Sequence, residues 1–175
     1  MSAQTRYGYP MPIGAAGGIV DTAPYSIVSR LNEEESGTMK FGIGVVQGTK
    51  PGSGIAVPTS AATVAKFEGI TTNNHHTEHD LEGGLRIRKS AAIGVMTYGR
   101  VYACVAEGVE PAYGDSLFII TSGAEAGFVT NNAAAVAAEG EEAAPTTIAI
   151  KGRFLGGVDS TTKVAPVELF NQAQA

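Results

Sequence analysis

Every histidine of the chain lies in one stretch, NNHHTEHDLEGG at 73–84, where His75, His76 and His79 stand among Glu78 and Asp80. Imidazole and carboxylate are ligands that zinc accepts, and the i, i+4 spacing of His75 and His79 would aim two rings at one ion if they stood on a helix. The neighbouring residues do not supply that helix: the run opens on two asparagines, closes on DLEGG and has no apolar period. A site completed by Glu78 or Asp80 would also need outer groups to orient the rings and an open position at which to activate water. The stretch therefore reads as an exposed polar loop, and no cofactor is expected. His75, His76 and His79 remain the weak metal candidates, and a metal-dependent hydrolase built on them is a competing reading that chelation and a triple alanine substitution would test.

The other motifs that could carry chemistry fail on context. FGIGVVQG spaces glycines as G-x-G-x-x-x-G, one residue off the dinucleotide fingerprint, and runs into KPGSG rather than a helix whose N-terminus could hold a pyrophosphate. GTKPGSG lacks the Gly-Lys-Ser/Thr ending of a phosphate loop, and no G-x-S-x-G elbow occurs. Glu33, Glu34 and Glu35 are consecutive and read as a solvated turn. Glu107, Glu110 and Asp115 could pair only if folding gathered them. Cys104 alternates with apolar residues in a strand, with neither a histidine nor a cationic setting nearby to activate its thiol. Arg86 and Arg88 are different: on a strand they project from one face about 7 Å apart, where they could meet a partner's carboxylates or simply lie in solvent.

Composition narrows the classes further. The 175 residues suit one domain, and the single cysteine excludes an internal disulfide and a thiolate zinc site. The net charge of -5 lacks the footprint of a nucleic-acid binder, and no apolar run approaches the length of a membrane span, so neither nucleic acid nor membrane is expected as a partner. Glycine, at 23 residues, is about twice its usual share, and β-branched residues are plentiful. That mixture predicts short strands joined by tight turns.

Residues 1–25 contain Pro10, Pro12 and Pro24 and the run GAAGG, with no sustained period, and read as an extended arm. Tyr7, Tyr9, Met11, Ile13 and Ile19 are too apolar for a free tail, so the arm should lie against this subunit or a neighbour. The remainder, 26–175, reads as a β domain. MKFGIGVV places Met39, Phe41, Ile43 and Val45 on one face of a strand; GIAVP, KFEGITT, the pair of runs around Gly99, LFIIT, TIAIKGRF and VAPVELF supply others. TSAATVAKF reads as a helical turn or an irregular bridge. The alanine-rich 131–145 reads as a surface insertion, since little there could bury a face. About ten short strands with turns every 8 to 12 residues predict an all-β sandwich or barrel.

Taken together, YPMPIGAAGGIVDTAPYSI, LNEEESGTMKFGIGVV, FEGITTN, RIRKSAAIGVMTYGRVYACVAEGVEPAYGDSLFIITSGAEAG, GRFLGGVD and the terminal VELFNQ resemble the structural cement proteins of tailed bacteriophages, which decorate and reinforce the capsid. The resemblance spans nearly the whole chain and is one of texture and order, because the family has no catalytic signature. It implies a β-rich, non-enzymatic virion protein, made in the host bacterial cytoplasm, that sits on the capsid exterior. It also implies attachment to the major capsid protein at junctions between capsomers, with further copies of itself, as dimer or trimer, as partners. The histidine cluster and the alanine-rich stretch depart from the family's texture. Tyr7, Tyr9, Pro10, Met11, Pro12 and Ile13 on the arm, with Arg86 and Arg88, are the expected contact residues. A receptor- or glycan-binding β module is the competing non-enzymatic reading, weakened by the absence of tryptophan to stack on sugars.

Overall fold

One strand of thirteen residues, β7 (Ala92–Cys104), is shared by both halves of the fold. The computed structural model describes residues 13–73, 86–133 and 146–171 in full, and residues 78, 79 and 85 by their backbone. The chain is all-β, and among the described residues the only helical element is a 3-10 turn, η1 (Val64–Lys66), at the place where TSAATVAKF left a helical turn open. In chain order the other strands are β1 (Ser26–Asn32), β2 (Gly44–Gln47), β3 (Gly54–Ala56), β4 (Phe67–Thr71), β5 (Glu78–His79), β6 (Leu85–Arg86), β8 (Ser116–Ile120), β9 (Val129–Thr130), β10 (Thr147–Phe154) and β11 (Val164–Leu169).

β1, β3, β2, β4 and the first half of β7 pair in that order, and β1 pairs back onto β7, which closes a five-stranded barrel with no open edge. The second half of β7 pairs with β11, followed by β10, β8 and β9. A single parallel bridge, Val105 to Val129, ties β9 back to the end of β7, with Ala106 N–H donating to Val129 O at 3.0 Å. The fold is thus one closed ring and one ring latched by a single bridge.

Gly99 lets one strand serve both. Ile93 and Val95 join the core of the first ring with Val45 and Ile55. Met96, Val101 and Ala103 join the larger second core with Leu117, Ile119, Phe154 and Val167. Met96 and Val101 would face opposite ways in a regular strand, so the alternation slips by one residue between them. Gly99, at φ +121°, supplies the slip, and the β1–β7 register shifts opposite Tyr98. The same strand carries Tyr102 opposite Pro166 of β11. Tyr102 sends its N–H to Gly18 O at 2.9 Å on its other side, so the N–H that Pro166 lacks is not missed in this ladder.

The strand expected from Met39 to Val45 is only partly present. Met39, Ile43 and Val45 are buried together as their spacing predicts, but the strand begins at Gly44. Gly42 turns the chain at φ +73°, donating its N–H to Thr71 O at 2.9 Å while its carbonyl accepts from Cys104 N–H at 2.8 Å. Thr71 holds the turn from inside the barrel: its buried hydroxyl accepts from Ile43 N–H at 3.1 Å and lies 2.9 Å from Lys40 O. Period-2 patterning reports which side chains face inward; it does not require extended backbone between them.

Of the residues read as an arm, 13–25 are described. They run along the outer edge of β7: Gly17 N–H donates to Tyr102 O at 2.8 Å, Tyr102 N–H to Gly18 O, and Val20 N–H to Arg100 O at 3.1 Å, with Ile19 bridged to Val101. Their glycines serve close approach. A Cβ on Gly14 would lie 2.4 Å from the Tyr102 ring, and one on Gly17 would lie 2.6 Å from Asn73 N. Residues 1–12 lie outside the described residues.

Candidate functional site

Of the expected contact residues, Ile13, Arg86 and Arg88 are described, and they fall in two places. Ile13, half-exposed, begins the described chain, and its N–H donates to Asp159 Oδ2 at 3.0 Å. Asp159 also accepts from Thr161 N–H at 2.8 Å and Thr162 N–H at 2.9 Å. These backbone donors, that of Ile13 foremost, hold its carboxyl down to about 2. Arg86, on β6, and Arg88 are exposed on either side of buried Ile87, as alternation predicts. A concavity of about 430 Å³ lies between the two places, with Ala15 and Ala16 on one side and Gly37, Met39 and Ile87 on the other. Tyr7, Tyr9, Pro10, Met11 and Pro12 lie outside the described residues.

The depressed carboxyl makes a testable statement about the arm's base. The folded pKa lies below the ordinary 3.8, so the anchoring is complete above that value and is lost as the pH falls through about 2. The amide resonances of Ile13, Thr161 and Thr162 are expected to titrate together with a midpoint near 2. Asp159→Asn should loosen Ile13 at neutral pH, read as faster hydrogen exchange; unchanged exchange would show that other contacts hold the segment.

Among the described residues no constellation for catalysis assembles. His75 and His76 lie outside the described residues, and His79 belongs to β5, which pairs with β6 as Glu78 opposite Arg86 and His79 opposite Leu85, so this part of the polar stretch is a small hairpin rather than a loop. Among the described residues no three of His, Cys, Asp or Glu converge on a point. Glu107 and Glu110 line one concavity with Glu125, whose Oε1 accepts from Glu107 N–H at 2.9 Å, whereas Asp115 is tied to Ala112 N–H and Asn131 Nδ2, so the turn does not gather all three expected acids. Burial pushes the Cys104 thiol up, and its Sγ lies 3.4 Å from Phe41 O, which keeps it protonated and unreactive.

What sequence reasoning missed is a ladder of charges across the outer face of the second ring. Asp21, Arg100 of β7, Glu168 of β11 and Arg153 of β10 stand side by side: Arg100 Nη1 to Asp21 Oδ2 at 2.7 Å, Arg100 Nε to Glu168 Oε1 at 2.9 Å, and Arg153 Nη2 to Glu168 Oε2 at 2.7 Å. Strand register sets the order, since Glu168 is directly opposite both arginines. Burial pushes the Glu168 carboxyl up, but the two guanidiniums outweigh it and leave it below its ordinary value. At one end Asp21 fastens the arm's base to the sheet. At the other, Arg153 lies 5.6 Å from the Tyr113 ring centroid and 5.8 Å from that of Phe170, both exposed.

This combination of a closed barrel and a strapped N-terminal segment suits a binding protein, and comparison with known proteins agrees. Residues 3–170 match the phage family described as structural cement protein (E217 gp24/Pam3 gp6). The chain belongs to that family. Cement proteins are structural, non-enzymatic components of the phage capsid, so contact with capsid proteins is part of the chain's work. A chain from the capsid of Myoviridae Phage XM1 has the same fold, with a TM-score of 0.68 and 18% identity over 99% of this chain and 100% of that one. No curated protein sequence matches it.

Proposed function

We propose that this cement protein sits on the outer surface of the head, binds the major capsid protein and ties neighbouring subunits together, with residues 1–12 reaching across the joint. The observation that supports this reading is the double fastening just behind that segment. Backbone bonds from 17–20 to β7 and the Asp159 carboxylate at Ile13 hold the chain immediately after Tyr7, Tyr9, Pro10, Met11 and Pro12 in sequence. A segment anchored so close to its contact residues transmits a pull to the barrel with little slack. Arg86 and Arg88 are the second contact, meeting carboxylates of the shell.

Removal of residues 1–12 tests it, leaving the described barrel whole. Burying a few hundred Å² of apolar surface per copy contributes several kcal/mol at about 25 cal/mol per Å² before ordering costs. Loss of the segment should therefore lower occupancy on expanded empty shells at least tenfold and lower the temperature at which decorated shells open. Equal occupancy and equal heat resistance, measured by sedimentation and light scattering, would remove residues 1–12 from the joint.

A further inference from the structure

We infer that the ridge carrying Lys66, Lys151 and Arg153 between Tyr113 and Phe170 is a docking surface for an acidic loop of the shell protein, a carboxylate of which is held by Arg153. This rests on the reading that the protein binds the shell, and it assigns that binding a further surface, built on β10 and η1 and separate in sequence from Arg86 and Arg88. Lys151 and Arg153 share the outer face of β10. Glu168 lies directly opposite Arg153, and Phe170 N–H donates to Lys151 O at 2.9 Å, which brings Phe170 across from β10 with its ring beside the Arg153 guanidinium. η1 packs beside β10 and adds exposed Lys66 and half-exposed Val64.

Charge complementarity decides the partner. The chain as a whole carries -5, yet Lys66, Lys151 and Arg153 gather on this ridge, and among its described residues the acid, Glu168, is already shared between Arg100 and Arg153. Asp115, close to Tyr113 in sequence, is turned away into its own bonds with Ala112 and Asn131. Arg153 spends Nε and Nη2 on a single oxygen, Glu168 Oε2, at 2.8 and 2.7 Å, and its Nη1 has no acceptor among the described residues. The guanidinium is held in place, flanked by rings, with both N–H groups of Nη1 still to offer. Tyr113 is 68% exposed and Phe170 43% exposed, so a loop laid on the ridge would bury aromatic area around that charge, the pairing of tyrosine and arginine that dominates interface energetics.

The test uses the full chain on expanded empty shells of the parent phage. Three variants are compared with wild type: the double Lys66→Glu/Lys151→Glu, Tyr113→Ala, and Lys50→Glu, a control in the β2–β3 turn. All change exposed side chains, and equal melting temperatures verify the fold. Wild-type binding should weaken as salt rises, the double variant should bind at least tenfold more weakly at low salt, Tyr113→Ala should also lose affinity, and Lys50→Glu should match wild type. Wild-type affinity and salt slope in the double variant would overturn the ridge while shell binding stands. A loss in Tyr113→Ala with no salt dependence would overturn the acidic partner. Failure of the wild type to bind shells would overturn both this surface and the reading beneath it.

Discussion

Phe154→Ala is expected to lower stability by about 3–5 kcal/mol and the melting temperature by roughly 6–20 °C for a chain of this length. Phe154 is the largest fully buried side chain of the core shared by β7, β8, β10 and β11, among Leu117, Ile119, Val101 and Val167. Its backbone bonds, N–H to Asp115 O and O from Gly114 N–H, survive the substitution, so the loss isolates the side chain. Neighbours on a ring tied by strand ladders cannot collapse far into the space, which places the effect at the upper part of the range. Urea unfolding should show a lower midpoint at unchanged slope. A loss below 1 kcal/mol would mean that the second ring is not packed around this residue.

Gly69→Ala should do comparable damage by a different route, about 3 kcal/mol or more. Gly69 has φ +146°, a conformation L residues avoid, and a Cβ there would lie 2.2 Å from Met96 O and 2.8 Å from Val95 Cγ1. Met96 is paired with Ile70 in the ladder that joins β4 to β7, so its carbonyl cannot retreat without opening the barrel seam. Gly52→Ala is the control: φ there is +76° with nothing within 4 Å of the added carbon, so it carries backbone strain alone, about 1 kcal/mol. Equal losses in the two variants, by urea denaturation, would disprove the steric account.

Much of the strand framework was legible from alternation. Residues of LFIIT, TIAIKGRF and VAPVELF lie in β8, β10 and β11, and Gly99 is the bend between two apolar runs. Ring closure was not legible, because it depends on pairings such as Leu31 with Gly54 and Arg30 with Ile93, between segments whose patterns say only which face is wet. The charge ladder was hidden for the same reason: Arg100 meets an aspartate 79 residues away and a glutamate 68 residues away. In the arm, GAAGG carried a signal of another kind. Three glycines there mark where backbone presses on Tyr102 and Asn73, a reading available from residue type but indistinguishable, without the partner strand, from looseness.

Because β7 runs through both rings, for about 40 Å at 3.3 Å per residue, bending at Gly99 without ending, the two halves are joined by one continuous strand. Tension applied at Gly17–Val20 enters β7 alongside its axis, so the bonds at Tyr102 and Arg100 are sheared together instead of peeled one after another. A swelling head that tugged on this subunit would meet a strut, stiff along one direction, and would have to rupture several bonds simultaneously before the molecule could lengthen.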